Sequence, residues 1–151
     1  MKLLSDIERA FVKLRRKRVS KMIYNEYQGV VQNGIFKGLK LTHDTNTSAG
    51  VLGSKVLGFY ENIVMENILS RAPFHNIINL GSADGYFAIG MLIKKLANRA
   101  ICFEITESGR KSIEKNGLLN HCSEKLNIFG KADSEFYKKI KDSGLDLTNS
   151  L

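Results

Sequence analysis

Two glycines flank a short polar segment in the middle of the chain, Gly81-Ser82-Ala83-Asp84-Gly85-Tyr86. A glycine-rich turn lets a ligand approach the backbone closely, and the helix that follows it points free N-terminal amides at that ligand. A dinucleotide fingerprint needs glycines at offsets 0, 2 and 5, but Ala83 and Tyr86 occupy the second and third of these positions. The tighter spacing of Gly81 and Gly85 therefore indicates a different ligand.

A carboxylate follows this turn at the distance that ribose recognition requires. Nucleotide-binding βαβ units place an acidic residue roughly 20 positions after the first glycine, where it accepts hydrogen bonds from ribose hydroxyls. Glu104 stands 23 positions after Gly81, in the apolar run from Ala100 to Ile105. A solvent-facing glutamate at a strand end is the alternative, and the upstream glycine turn favours the ribose role.

Short apolar runs that alternate with amphipathic segments predict the elements that position these residues. Strand, helix and strand in succession predict a parallel sheet and an α/β fold. Upstream, the stretch 34–54 reads as a loop, and Ser54 is expected to cap a helix that ends at Ala72-Pro73. The strands are expected at 76–80, 100–105 and 126–129. The helices are expected at 86–97, at 134–141 and in a segment that is capped by Thr106 and ends at Asn116-Gly117.

The N-terminal segment, residues 1–34, is predicted to be helical and separate from an α/β domain over 35–151. Residues 1–24 hold eight lysines and arginines against Asp6 and Glu8, so six of the eight net positive charges lie there. The basic run 15–18 suits nucleic acid, an anionic lipid surface or an acidic partner, and a solvated helix face is the alternative. No aromatic residues interleave with the run, which weakens the nucleic-acid interpretation.

The composition indicates one globular domain of 151 residues with 43% hydrophobic residues. No apolar stretch approaches the ~20 residues of a membrane-spanning helix, and the first residues lack a secretory pattern, so a cytoplasmic location is expected. The two cysteines do not suggest a disulfide framework. Cys122 beside His121 could belong to a metal site or a nucleophile pair, but two residues define neither, and no metal is predicted.

The segment from Phe36 to Asp133 resembles S-adenosylmethionine-dependent methyltransferases of the FkbM type. The resemblance implies a Rossmann-like methyltransferase sheet, represented here by its first three parallel strands after an N-terminal helical segment. It also implies methyl transfer from S-adenosylmethionine to a hydroxyl of a small molecule or glycan. The phrases that carry it are Phe36-Lys37-Gly38-Leu39, Leu57-Gly58-Phe59-Tyr60-Glu61, Ile77-Ile78-Asn79-Leu80-Gly81-Ser82-Ala83-Asp84-Gly85-Tyr86 and Phe103-Glu104.

The resemblance also implies a set of cofactor-binding residues, with two departures from the family pattern. Asn79 stands where the family usually has a carboxylate, and Ala83 replaces a glycine, which is tolerated if its φ stays negative. Asp133 either receives the adenine amine or caps the following helix, and Tyr60-Glu61 are expected near the same pocket. The expected cofactor-binding residues are Asn79, Gly81, Ser82, Ala83, Asp84, Gly85, Tyr86, Glu104, Ile105 and Asp133.

No catalytic base is assigned, since nothing places His43, His75 or His121 near a methyl group. The fourth strand of such a sheet is expected to begin at 145–151, beside the first strand. Most of the far edge of the first strand is then predicted to be unpaired, which suggests a fragment or self-association through that edge. The alternative functions are a non-catalytic binding module that uses the basic helix and a nicotinamide-dependent oxidoreductase.

Overall fold

A computed structural model describes residues 2–43, 50–60, 62–144 and 150–151. Helices precede a three-stranded parallel sheet with the order β1-β2-β3, and further helices connect its strands. This arrangement confirms the prediction of a Rossmann-like α/β fold. The strands are β1 (Phe74–Leu80), β2 (Ala97–Phe103) and β3 (Leu126–Phe129), and the helices are α1 (Lys2–Tyr27), α2 (Val51–Leu57), α3 (Asn62–Leu69), α4 (Tyr86–Ile93), α5 (Glu107–Leu119) and α6 (Phe136–Asp142).

The strand register brings the carboxyl ends of the three strands to one edge of the sheet. Leu80 pairs with Phe103, and Phe103 pairs with Phe129. In parallel sheets, ligands bind in the crevice outside these carboxyl ends. The residues that follow β1 and β2, including the glycine turn and Glu104, therefore lie at the edge where a ligand site is expected.

The core forms around β2 and α4, because β2 is covered on both faces as parallel strands usually are. Ala100, Ile101 and Cys102 have no exposed surface, and Ile89 of α4 is equally buried. The predicted loop of 34–54 also contributes to this core, since Phe36, Leu39 and Leu41 are buried and pack in the same cluster. These apolar residues pack in the core although their spacing is neither that of a helix nor that of a strand.

The predicted long helix from Ser54 to Ala72-Pro73 is wrong, because two helices occupy this stretch. Ser54 lies within α2 and not at its N-cap, and α2 ends at Gly58 with φ +82°. A Cβ at Gly58 would collide with the backbone carbonyl of Asn33. The left-handed glycine therefore lets the chain turn against a neighbouring segment before α3 begins at Asn62.

Other predicted boundaries also shift. α4 ends at Ile93 instead of residue 97, so Ala97 already belongs to β2 and Glu104 is the first residue beyond that strand. α5 continues through Asn116-Gly117 to Leu119, and α6 begins at Phe136. Asn116 is buried, and its side-chain oxygen accepts a hydrogen bond from the Thr42 N–H at 2.7 Å. Tertiary contacts therefore override the preference of asparagine for a helix end.

The far edge of β1 is paired at one point, by the end of the stretch in which the fourth strand is predicted to begin. Asn76 forms a parallel bridge with Ser150. The Ile78 N–H donates to the carbonyl of Leu151 at 2.7 Å, and the Leu151 N–H donates to the backbone carbonyl of Asn76 at 3.0 Å. Residues 145–149 of the predicted fourth strand lie outside the described residues. Among the helices in the described ranges, none combines the length and apolarity needed to cross a membrane.

Candidate functional site

The turn after β1 has a left-handed backbone at three of its five residues. The φ angles are +71° at Gly81, +50° at Ala83 and +77° at Gly85. The φ of Ala83 is positive, so the condition of a negative φ is not met, and this conformation is uncommon for a residue with a side chain. The N–H groups of Gly81 and Ser82 both donate to the carbonyl of Phe103, at 2.8 and 3.0 Å. The turn is therefore attached to the end of the neighbouring strand.

Glu104 meets this turn directly. Its Oε2 accepts a hydrogen bond from the Ala83 N–H at 2.9 Å. Its Oε1 accepts from the N–H and the hydroxyl of Thr106, at 2.9 and 2.8 Å. The Thr106 hydroxyl oxygen also accepts from Gly109 N–H, so it is the N-cap of α5, as predicted. The two segments that the sequence singled out for nucleotide recognition thus lie in contact.

The surroundings of Glu104 keep its carboxylate ionised at neutral pH. Desolvation by partial burial raises the pKa of Glu104. Hydrogen bonds from Thr106 and Ala83 and the charge of Arg110 together lower it by more, so the net shift of the pKa is downward. The Arg110 guanidinium donates to the carbonyls of Glu104 and Ile105, both at 2.8 Å. Glu104 is therefore a fixed, negatively charged acceptor.

Asp84 faces the interior instead of the open edge. Its carboxylate accepts two hydrogen bonds from the Lys55 ammonium, at 2.7 and 2.9 Å, and one from the Tyr86 N–H at 3.2 Å. The side chains of Lys55 and Asp84 are only 4% and 1% exposed. The Lys55 nitrogen also lies 5.2 Å from the ring centroids of Tyr60 and Tyr86. The Asp84 carboxylate, expected at the cofactor, is thus engaged in an internal ion pair.

The sequence interpretation missed Lys55. A lysine inside the otherwise apolar helix Val51-Leu52-Gly53-Ser54-Lys55-Val56-Leu57 is the signal that could have found it, because a buried ammonium needs a carboxylate partner. Its partner is 29 positions away, so no local pattern identifies it. The pair ties α2 to the glycine turn.

Asn79 offers a buried acceptor without a donor. Its Oδ1 has no hydrogen-bond partner among the residues that the structure describes. The side chain lines a cavity of about 220 Å³, together with Phe87 of α4 and Leu151. The Asn79 carbonyl is separately engaged, since it accepts from the Ser82 hydroxyl at 2.7 Å. A buried amide oxygen of this kind can accept a hydrogen bond from an ammonium group or a water.

The surface beside the turn and Glu104 is open and apolar. A Cβ built at Gly81 would meet no described atom within 4 Å. Leu80 is 57% exposed and Ile105 is 71% exposed, at the carboxyl ends of β1 and β2. Exposed apolar side chains at this edge can pack against the face of a planar ring.

The side chains of Tyr86 and Asp133, two further predicted residues, contact other parts of the protein. Tyr86 is 3% exposed, and its ring centroid lies 5.3 Å from that of Phe36, so its side chain is part of the core. Asp133 is exposed and pairs with Lys139 at 3.0 Å, and that hydrogen bond lowers its pKa. Its carboxylate also accepts from the N–H of Glu135, the residue that precedes α6. Glu61 lies outside the described residues.

The two cysteines are buried thiols. Cys102 lies in β2, and burial raises its pKa to about 12. Burial also raises the pKa of Cys122. A reactive cysteine needs a lowered pKa, so neither thiol has the properties of a nucleophile here.

No protein-family model matches the chain, and no curated protein matches it. Among solved structures, it is similar to Sp1610 of Streptococcus pneumoniae, described as a proposed tRNA (m1A22) methyltransferase, with 22% identity and a TM-score of 0.40 over 45% of this chain and 31% of that one. It is also similar to YjhP of E. coli, with 13% identity and a TM-score of 0.40 over 46% of this chain and 28% of that one. The chain thus spans under a third of the length of either structure.

Proposed function

We propose that the chain binds S-adenosylmethionine at the carboxyl edge of its sheet and serves methyl transfer. The observation that carries this proposal is the 2.9 Å hydrogen bond between the Ala83 N–H and Glu104 Oε2. It holds an ionised carboxylate against a left-handed glycine turn, the combination that ribose recognition requires. The spacing of Gly81 and Gly85 favours this cofactor over a dinucleotide, whose fingerprint places its third glycine where the buried Tyr86 stands.

Glu104 keeps acceptor capacity for a ligand. A carboxylate oxygen accepts about two hydrogen bonds, and the two from Thr106 fill Oε1, while Oε2 accepts only the Ala83 N–H among the described groups. We assign the remaining lone pair of Oε2 to a ribose hydroxyl. Leu80 and Ile105 would pack against the adenine, because both expose apolar surface on the same edge.

Asn79 fits the methionine portion of the cofactor. Its Oδ1 is buried and lacks a described donor, so an ammonium group would satisfy it. An amide forms a weaker bond to an ammonium than a carboxylate does, because it carries no charge. We therefore expect weaker cofactor binding than a carboxylate at this position would give.

The bound cofactor supplies a methyl group already activated on a sulfonium. The protein's own contribution is then alignment and exclusion of water, and alignment alone can account for several kcal/mol of the barrier, about 7–11 in well-oriented systems. As the acceptor we propose a hydroxyl of a small molecule or glycan, which the family resemblance implies. For such an acceptor, a general base would raise the rate further.

Calorimetric titration of the chain with S-adenosylhomocysteine and with NAD tests the proposal. We expect the first ligand to bind and the second not to bind. Glu104→Gln should weaken binding about 10-fold, because a charge-assisted hydrogen bond contributes about 1.5–3 kcal/mol. The matched control is Glu114→Gln on the exposed face of α5, which should leave the affinity unchanged. Binding of NAD alone would support the oxidoreductase, and binding of neither ligand by the folded chain would refute the proposal.

A further inference from the structure

The N-terminal part of α1 projects into solvent with large apolar side chains uncovered. Every side chain from Glu8 to Val19 is exposed. Phe11 and Leu14 are each 66% exposed and Met22 is 62% exposed. Their spacings of three and eight residues put these side chains on one face of the helix. A row of large apolar residues on a protruding helix indicates a surface that is covered in use.

Basic side chains lie along the same face. Arg15 follows Phe11 by four residues, and Arg18 follows Leu14 by four, so both lie over the apolar row. Over residues 1–24, eight lysines and arginines stand against two acidic residues. The partner of this surface must therefore be both negatively charged and able to receive apolar groups.

The other end of α1 is fixed to the body of the protein. The buried Ser20 hydroxyl oxygen accepts from the Gly53 N–H of α2 at 2.6 Å, and the Tyr24 hydroxyl donates to the carbonyl of Leu41 at 3.1 Å. α1 is thus attached from Arg16, which lies against Gly50, to Tyr24. The side chains of Phe11, Leu14 and Met22 stay exposed along this helix.

Charge decides which partner covers this helix. A second copy of α1 would bring six excess positive charges against six others, which repel. Nucleic acid would neutralise the charge, but its phosphates would leave Phe11, Leu14 and Met22 uncovered. An anionic lipid surface satisfies both properties, since lysines and arginines reach the phosphates while apolar side chains enter the acyl boundary.

We propose that α1 lies on the surface of an anionic lipid bilayer, with Phe11, Leu14 and Met22 at the acyl boundary and Arg15 and Arg18 at the headgroups. The proposal concerns a surface distinct from the carboxyl edge and does not depend on the proposed methyl transfer. Each basic residue near an anionic leaflet strengthens binding roughly 5-fold, and salt weakens that contribution. The helix would lie in the plane of the interface and would not span the bilayer.

The chain contains no tryptophan, so a single tryptophan reports insertion without background. Phe11→Trp should show a blue-shifted emission with phosphatidylcholine vesicles that contain phosphatidylglycerol and no shift with phosphatidylcholine alone. The matched control is Tyr137→Trp in α6, a site 62% exposed, whose emission should not change. An unshifted Phe11→Trp emission with the anionic vesicles would overturn the proposal.

Vesicle co-sedimentation separates the two contributions. Arg15→Gln with Arg18→Gln should reduce binding roughly 25-fold, at about 5-fold for each charge. Phe11→Ala with Leu14→Ala should reduce it roughly 10-fold or more while keeping helix propensity, because alanine is the best helix former. Lys138→Gln with Lys141→Gln in α6 removes the same charge elsewhere and should have little effect. If single-stranded RNA binds instead, and Phe11→Ala with Leu14→Ala leaves that binding unchanged, the surface is a nucleic-acid site and the lipid proposal is wrong.

Discussion

The glycine turn and the exposed part of α1 differ in how the rest of the protein constrains them. The turn is held by three neighbouring elements: Lys55 of α2 binds the Asp84 carboxylate, Asn116 of α5 donates to the Asp84 carbonyl at 2.8 Å, and Glu104 accepts from Ala83. From Glu8 to Val19, by contrast, α1 exposes every side chain. The same chain therefore contains one segment that several contacts hold in place and one whose side chains are all exposed.

This difference separates two kinds of recognition. A left-handed Ala83 persists only where surrounding contacts over-determine it, and such strain is typical of sites that hold a ligand in one geometry. A bilayer surface has no fixed shape and needs only charge and apolar area. The proposed cofactor site thus lies where the backbone is fixed, and the proposed lipid surface lies where side chains are free to adapt.

The largest expected effect comes from breaking the Lys55–Asp84 pair. Lys55→Met leaves a buried carboxylate without its counter-ion and should lower the free energy of unfolding by about 3–5 kcal/mol. Lys17→Met in the exposed part of α1 removes the same charge and should change it by less than about 0.5 kcal/mol. Urea denaturation of both variants measures the contrast.

A double-mutant cycle provides the control for this prediction. Lys55→Met combined with Asp84→Asn removes both charges and should cost less than the sum of the two single substitutions, because neither charge is left alone. Additive costs would show that the two side chains stabilise the turn independently. That outcome would contradict the interpretation of the pair as the link between α2 and the turn.

A smaller effect distinguishes the two glycines of the turn. Both have a positive φ, which costs alanine about 1–2 kcal/mol. A Cβ at Gly85 would also approach Ile89 and Ile113 to 3.0 and 3.2 Å, whereas at Gly81 no described atom lies within 4 Å. Gly85→Ala should therefore destabilise the protein by about 2–4 kcal/mol, because packing strain adds to the backbone cost. Gly81→Ala should cost only the backbone contribution.

Affinity should follow the opposite order. The Cβ of Gly81→Ala would enter the open surface that we assign to the cofactor, so this variant should lose more S-adenosylhomocysteine affinity than its small loss of stability suggests. Thermal unfolding and calorimetric titration of the two variants test both orders. Equal stability losses would show that the contact with Ile113 does not constrain the turn.

The acid sensitivity of Glu104 gives a smaller effect again. Because its folded-state pKa is lowered below the ordinary value of about 4.3, the carboxylate stabilises the fold at pH values above that point. This contribution is lost as the pH falls through the lowered pKa, when the carboxylate is protonated in both states. Since the side chain is only partly buried, we expect at most about 1 kcal/mol.

Urea denaturation of the wild type and of Glu104→Gln between about pH 3 and pH 7 checks this sign, because that range includes the ordinary glutamate pKa of about 4.3. The wild type should be the more stable protein at neutral pH, and the difference should shrink as the pH falls below that value. A difference that grows on acidification would mean that the pKa of Glu104 is raised in the folded protein.

The sequence predicted a parallel sheet and assigned the glycine turn and Glu104 to one ligand. Short apolar runs such as 76–80 alternate with helical segments, and this alternation can be recognised in the local sequence. Parallel strands bring their carboxyl ends together, so the predicted sheet already placed Gly81 and Glu104 at one edge. The residue spacing and the sheet topology together were enough for this part of the site.

The contacts that fix the turn could not be predicted from the sequence in the same way. Lys55 and Asp84 are 29 positions apart, so no local pattern identifies Asp84 as the partner of a lysine in α2. Asn116-Gly117 has the composition of a helix end. The Asn116 side chain instead forms hydrogen bonds with the backbone of Thr42 and Asp84, and α5 continues to Leu119. Pairwise tertiary contacts of this kind override local propensity and leave no periodic signal.

The smallest expected effect concerns the exposed part of α1. Phe11→Ala should leave the free energy of unfolding within about 0.5 kcal/mol of the wild type, because the ring is 66% exposed and alanine favours the helix. Urea denaturation without lipid measures it. A loss above about 1 kcal/mol would mean that the ring is buried against the body in solution, since an exposed side chain does not contribute that much. The apolar row on α1 would then be part of the core, and neither the contrast with the turn nor the lipid surface would survive.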